Sequence, residues 1–310
     1  MKVSVIIPSW NRAALLERAV KSVQRQVLGG AVGAVQLIVV DDGSEDDTQE
    51  RIKQMRAEDK QLEYIRIPHT GMPGAVRNAG LAYAAGDVIA FLDSDDVWLA
   101  GKLEQQTERL GAAGFPHLVH CREHWYRKSG DKLQTISQKS QQHQREGEVF
   151  ASALHKCMIG PSTVLLPREG IQQLQADLGG KLFREDIPVA EDYELWLHWT
   201  ARWPVTYVDV PLVEKWAGHG DQLSEQWGVI EYFRLRCLLD FADMPVELPR
   251  IAGLPSLPPN ETRAARNLLP EKQELMRRML QKKLSVFAQG AAKRNNPEAA
   301  IWAEGQASRL

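Results

Sequence analysis

The sequence predicts an α/β protein with a mostly parallel sheet flanked by helices, followed by a C-terminal helical extension. Three observations predict it. Short β-branched runs alternate with segments of helical periodicity through the first hundred residues, the pattern of strand–helix–strand units. Two of those runs end in acidic clusters, Asp41-Asp42-Gly43-Ser44 and Asp93-Ser94-Asp95-Asp96, and ligands of such sheets bind at the carboxyl ends of the strands. Beyond residue 229 the periodicity becomes helical almost throughout.

The elements follow in order. Val3–Ile7 is a buried strand that Pro8 is expected to stop. Asn11 to Val27 repeats Leu15, Leu16, Ala19, Val20 and Val23 at helical spacing. Val35–Val40 and Leu62–Ile67 are strands around a polar helix from Thr48 to Ala57. Gly74–Ala84 is a helix of small residues, and Val88–Leu92 a fourth strand. Lys102–Gly111 reads as a helix and Leu118–Tyr126 as extended. Ser129–Glu148, rich in Gln, Lys and Ser, reads as a mobile loop or hairpin. Ile159–Leu166 contains a short strand, and Asp192–Arg202 is a helix packing through Tyr193, Leu195, Trp196 and Trp199. Val205–Val210 and Leu212–Trp216 are two strands, and Val229–Phe241 is a helix. Pro245–Asn260 holds five prolines and reads as a linker. Pro270–Lys293 and Pro297–Arg309 form a helical hairpin joined at Asn295-Asn296.

Composition excludes several classes. Of 310 residues, 44% are hydrophobic and 25% charged, as in a globular protein of one large or two modest domains. Lysine and arginine (38) balance aspartate and glutamate (40), so a general nucleic-acid footprint is absent. Apolar runs are of strand length, short of the ~20 residues that span a bilayer. No leader pattern precedes Val3. Cys121, Cys157 and Cys237 fit neither a zinc site nor a disulfide framework, which points to a reducing cytoplasm.

The chemistry concentrates in a few clusters. Three carboxylates within Asp93–Asp96 repel one another unless a cation or donors neutralise them, and hard oxygen ligands suit Mg²⁺ or Mn²⁺. A carboxylate at Asp41 or Asp42 can accept hydrogen bonds from a base or ribose. Glu191-Asp192 opens an aromatic helix and can supply a general base. Arg77 suits a phosphate or a carboxylate. His219, between two glycines, can serve a metal or a phosphate. Each has a plainer reading: turns and helix caps for the acids, a salt bridge for Arg77, solvation for His219.

Taken together and in order, these clusters resemble family 2 glycosyltransferases. Val3–Arg12 resembles the family's opening. Val39–Ser44 with Asp46 and Thr48 resembles its second block. Arg77–Gly80 with Gly86–Asp96, including the DxD motif, resembles its third. Glu191–Trp196 resembles the ED block. The resemblance covers about residues 1–225 and implies a GT-A fold, a Rossmann-like mixed sheet. It implies a glycosyltransferase domain over 1–228, with a nucleotide half (1–100) and an acceptor half (101–228), and a helical extension over 229–310. It further places Pro8 and Asn11 by the nucleotide, Asp42 on the base with Asp41 supporting it, and Arg77 and Asp93 at the donor. Asp95, Asp93 and His219 would hold Mn²⁺ or Mg²⁺, Asp192 would be the base, and Glu191 would shape its environment.

The activity so implied is inverting, metal-dependent transfer from a nucleotide-sugar, with a UDP-sugar favoured, to a glycan or lipid-linked acceptor in bacterial surface polysaccharide or glycoconjugate synthesis. Gln222–Trp227 lacks the QxxRW motif of processive members, so a non-processive enzyme is expected. The expected location is cytoplasmic, at the inner face of the membrane. Lys282, Lys283, Lys293 and Arg294 could give peripheral contact there, and the C-terminal helices could form a homodimer. A catalytically inactive scaffold acting through the helical tail remains the alternative. A nucleotidyltransferase is disfavoured, because Pro8–Arg12 is a poor triphosphate loop.

Overall fold

The computed structural model describes residues 1–27, 29–113, 117–129, 132–136, 144–217, 230–244, 263–265 and 267–310. The chain begins with β1 (Lys2–Ser9), α1 (Ala13–Gln24), β2 (Ala34–Asp41), α2 (Thr48–Glu58), β3 (Leu62–Arg66), α3 (Pro73–Tyr83) and β4 (Val88–Phe91). It continues with β5 (Val97–Trp98), α4 (Lys102–Ala113), β6 (Leu118–Ser129), β7 (Lys132–Ile136) and α5 (Phe150–His155). A 3-10 turn at Pro161–Thr163 leads to β8 (Leu166–Pro167), α6 (Arg168–Asp177), α7 (Glu191–Arg202) and β9 (Val205–Ala217). Three helices follow: α8 (Ile230–Phe241), α9 (Pro270–Lys293) and α10 (Pro297–Ala307).

Among the described residues the first sheet has the order β3-β2-β1-β4-β8, parallel except for β8 against β4. Neighbours on both sides of β1 explain its continuous apolar run. Its side chains alternate between faces: Val3, Val5 and Ile7 join the core under α1, while Ile6 joins the core containing Trp196 and Trp199 of α7. The second sheet has the order β5-β9-β6-β7.

Four expectations change. Pro8 does not stop β1, which runs to Ser9 with Pro8 opposite Val40. β4 ends opposite Ile6, so Pro8 has a strand on one side only, where a missing N–H is tolerated. The first helix starts at Ala13 and ends at Gln24, because Asn11 adopts φ 50° and is tied to the β2–α2 loop. The two strands expected over Val205–Trp216 are one strand. Pro211 falls at a bulge in the β6–β9 ladder rather than at a break. Ile159–Leu166 is mostly the Pro161–Thr163 turn, with Leu166 entering β8. The Ser129–Glu148 stretch yields a hairpin strand, β7, and residues 137–143 lie outside the described residues.

α7 is buried on nearly every side, with ten of its twelve residues buried, the ionisable Glu191, Glu194 and His198 among them. Trp196 and Trp199 pack towards the sheet. Tyr193 and Leu197 pack into a second core with Phe150 of α5, Phe233 and Leu238 of α8, and Leu280 and Leu284 of α9. The C-terminal helical hairpin, with bounds close to those expected, therefore shares a core with the helix that carries Glu191 and Asp192. Among the described residues no helix is long and apolar enough to cross a membrane.

Candidate active site

The β2–α2 corner is assembled by hydrogen bonds. Asp41, fully buried, accepts from the Ser44 backbone N–H at 2.8 Å and from the Tyr64 hydroxyl at 2.5 Å, with the Arg66 guanidinium at 3.6 Å. Burial and the bond to Asp41 push the Tyr64 phenol up. Asp42 accepts from the Thr70 N–H (2.8 Å), the Thr70 hydroxyl (2.9 Å) and the Gly71 N–H (3.0 Å), with His69 Nδ1 3.0 Å away. Gly43 takes φ 74°, and a Cβ there would lie 2.8 Å from the His69 backbone nitrogen. That close approach lets the 67–72 loop fold over Asp42. Asn11 joins the same corner, its N–H on Ser44 Oγ and its Oδ1 accepting from Glu45 N–H. Pro8 lies in β1 beside it, and Trp10 stacks on His69 with ring centroids 4.5 Å apart.

The second corner is assembled by ion pairs. Arg77 projects from α3, buried, beneath the end of β4. Its Nη2 donates to Asp93 Oδ1 at 2.7 Å and its Nη1 to Glu191, 114 residues away, while its plane lies over the Phe183 ring. Arg77 thus meets two carboxylates. Burial pushes the Asp93 carboxyl up, but Arg77 and Lys215 more than reverse this and hold it below the usual range. At Glu191 burial wins with help from Asp192 and despite Arg77, and the carboxyl is raised to about 7.

Asp95 pairs through Oδ2 with Arg12 at 2.9 Å, its side chain 13% exposed. Asp96 is buried, accepts from the Ser162 hydroxyl at 2.6 Å and lies 3.1 Å from Lys215 Nζ. Burial, reinforced by Asp95 and Asp93, pushes the Asp96 carboxyl up. Ser162 Oγ also accepts from the Asp93 N–H at 3.0 Å, so one hydroxyl spans the DxD turn. Asp192 lies in the first turn of α7, its Oδ1 accepting from the Tyr193 N–H at 2.7 Å. Its Oδ2 accepts from the Cys157 thiol at 3.4 Å. Ala190, just before, takes φ 70°.

The structure therefore brings Arg77, Asp93, Asp95, Glu191 and Asp192 into one neighbourhood, and Pro8, Asn11, Asp41 and Asp42 into the adjoining corner. His219 lies outside the described residues, as does Gln222–Trp227. Among the described residues no three His, Cys, Asp or Glu side chains converge as a ready metal cage. Lys215, Ser162, Arg12 and Cys157 were not among the expected site residues. Lys215 had one weak signal, the charged pair Glu214-Lys215 set between Val213 and Trp216. Ser162 and Cys157 had none, because their partners are 35 or more residues away.

An open, mostly parallel sheet with acidic loops at its carboxyl edge and the Glu191–Asp192 pair opposite has the architecture of the GT-A fold. The model of glycosyl transferase family 2 matches residues 4–164, just over half of the chain, and the chain belongs to that family. It is 35% identical over 118 residues to the GalNAc(5)-diNAcBac-PP-undecaprenol beta-1,3-glucosyltransferase of Campylobacter jejuni, covering 38% of this chain and 37% of the relative. The chain spans about a third of the length of several curated relatives, this one included. Its fold is similar to that of S. aureus TarS in complex with UDP-GlcNAc, with TM-score 0.58 and 16% identity over 100% of this chain and 92% of that one. It is also similar to a mannosyltransferase from Pyrobaculum calidifontis in complex with GDP-Man and Mn2+, with TM-score 0.53 and 18% identity over 98% and 79% of the two chains.

Proposed function

We propose that the protein is a metal-dependent, inverting, non-processive glycosyltransferase. It would move a sugar from a nucleoside diphosphate donor, UDP favoured, to a hydroxyl of a lipid-linked or surface glycan at the inner face of the cytoplasmic membrane. The observation that carries this reading is the Arg77 bridge. One buried guanidinium joins Asp93 of the DxD turn to Glu191 of the ED pair. The loop suited to a donor diphosphate and the acids suited to proton removal are thereby fixed side by side. Support for donor and acceptor comes from the relatives' chemistry: a UDP-GlcNAc complex, a GDP-Man and Mn2+ complex, and an undecaprenol-linked acceptor.

The residues fit a divalent cation. Asp95 has one carboxylate oxygen on Arg12 and a second with no hydrogen bond among the described residues. Mg²⁺ and its like need only one or two carboxylates when substrate phosphates complete the shell. Asp95, with Asp93 behind it, would hold the ion. When bound, the ion neutralises charge developing on the departing diphosphate. Asp42 and Asn11 shape the nucleoside end, and Asp41 holds their loop through Ser44. Asp192 takes the proton from the acceptor hydroxyl as its oxygen bonds to the anomeric carbon and the bond to the diphosphate breaks. Attack from the opposite face inverts the centre. Glu191, locked to Arg77, keeps the first turn of α7 in place.

The test is release of nucleoside diphosphate from UDP-glucose, UDP-GlcNAc and GDP-mannose, with Mn²⁺, with and without a polyprenyl-diphosphate-linked saccharide. Acceptor-stimulated release from one donor is expected. A folded sample that releases nothing from any of them contradicts the reading.

A further inference from the structure

The helical extension reaches the ED helix through buried charge as well as apolar packing. Arg263, 4% exposed, donates from Nε to Glu194 Oε1 at 2.7 Å, from Nη2 to the Leu182 carbonyl at 2.6 Å and from Nη1 to the Lys181 carbonyl at 3.3 Å. Glu194 lies in the first turn of α7, two residues beyond Asp192. Its carboxylate is held low, to about 2, because Arg263 and His198 outweigh the effect of burial. Just after Arg263, the Ala265 N–H donates to the Phe241 carbonyl at the end of α8, at 3.0 Å.

The two carbonyls open a segment that touches the site from the other side. Asn78, next to Arg77, donates to the Phe183 carbonyl at 2.7 Å and accepts from the Phe183 N–H at 3.0 Å. Phe183 lies under the Arg77 guanidinium. Gly74 packs so tightly here that a Cβ would fall 1.9 Å from the Arg184 carbonyl oxygen. Arg184 in turn pairs with Asp186 at 2.7 Å and with Asp240 of α8 at 2.9 Å, and Arg236 of α8 closes on Asp186. The contacts form a ring: Arg263 to Glu194 on α7, α7 through Glu191 to Arg77, Arg77 and Asn78 to Phe183, and the 181–184 segment back to Arg263. Neither Arg263 nor α7 lies within the residues matched by the family model.

We propose that Arg263 is a positioning residue for transfer: it clamps the first turn of α7 to the 181–184 segment and so fixes where Glu191 and Asp192 point. The proposal rests on the reading of that pair as the proton-accepting end of the site. Arg263 touches no substrate. Its effect passes through Glu194 and two carbonyls, a geometry that a planar fork of donors satisfies and a lysine ammonium satisfies only in part. Misplacing a reacting group by about 1 Å costs ~10²-fold in rate. The nucleotide corner, built on β1 and β2, has no part in the ring among the described residues.

The experiment uses the full chain as wild type, Arg263→Met, Arg263→Lys and the charge-neutral double variant Arg263→Met/Glu194→Met, measuring kcat, UDP affinity and amide hydrogen exchange. For Arg263→Met, kcat is expected to fall about 10- to 100-fold with the UDP Kd within about twofold. Amides of residues 191–195 should exchange about tenfold faster while those of β1 and β2 do not change. Arg263→Lys should recover part of the loss. Wild-type kcat with wild-type exchange overturns the proposal, and so does uniformly faster exchange along the whole chain. If the single variant does not fold, the double variant removes both buried charges and keeps an apolar fit. It must still be slow in transfer and fast in exchange over 191–195, and wild-type behaviour there overturns the proposal. If wild-type protein uses no nucleotide-sugar, the proposed activity fails, while exchange at 191–195 still decides the clamp.

Discussion

The two acidic corners of the sheet are neutralised in opposite ways. Asp41 and Asp42 are held mainly by backbone N–H and hydroxyl donors from within 30 residues, with Tyr64, Thr70 and Gly71 supplying most of the bonds. Asp93, Asp95 and Asp96 are held mainly by cations, Arg77, Arg12 and Lys215, drawn from elements far apart in the chain. Neutral donors of fixed geometry build a permanent loop. Side-chain cations leave carboxylate oxygens that can change partner when a divalent ion or a diphosphate arrives. Under the proposed function the first corner would be scaffold for recognition, and the second the place where charge is rearranged.

The largest effect should come from the acid beside the second corner. Asp192→Asn is expected to lower kcat by ~10²–10⁴-fold with nucleotide affinity retained, read from initial rates and calorimetry. Transfer at the wild-type rate would remove Asp192 from the base role.

Next come paired stability measurements that set one corner against the other. Arg77→Met leaves the buried Glu191 without its cation and the partly buried Asp93 with Lys215 alone, and should cost ~3–5 kcal/mol in urea unfolding. Asp41→Asn keeps one acceptor oxygen and should cost only ~1–3 kcal/mol. Equal costs would erase the distinction between the corners.

The pH dependence separates them further. Glu191 has its carboxyl raised to about 7 in the folded protein, so the native state holds the proton more tightly than the unfolded chain. Its contribution is fully present below the unfolded value near 4.5 and is lost as pH rises through about 7. Asp93 is lowered, so its contribution is present above 3.8 and is lost as the solution becomes more acidic. Unfolding midpoints should fall between about pH 4.5 and 7 in wild type, and Glu191→Gln should flatten that slope without touching the acid limb. The smallest effect belongs to Ala190, at φ 70°. Ala190→Gly relieves the left-handed strain but loosens the unfolded chain, so stability should change by less than about 1 kcal/mol.

How much of this was legible in the sequence follows from the same contrast. The first four strands, the helical hairpin and the Asp41–Ser44 loop depend on local periodicity and turn chemistry, and their positions could be read within a few residues. The DxD and ED acids could be read as motifs, but not their partners. Arg77 to Glu191 spans 114 residues and Asp96 to Ser162 spans 66, and no local pattern encodes such pairs. Lys215 reads as a strand residue until the fold sets β9 beside the DxD turn. α5 and α6 were not assigned. The first has six residues, and the second buries only Gly170, Ile171 and Leu174, too few to show a helical stripe. Proline lies at both strand corrections: a one-sided strand edge accommodates Pro8, and a bulge accommodates Pro211 between the two expected strands.

The most direct measurement is a calorimetric titration of UDP into wild type and Asp95→Asn, each with and without Mn²⁺. The account predicts that Mn²⁺ tightens UDP binding to wild type by about tenfold or more, ~1.4 kcal/mol, and that Asp95→Asn abolishes the gain while metal-free binding persists. UDP affinity unaffected by Mn²⁺ in the wild-type protein, or an undiminished gain in Asp95→Asn, would contradict it.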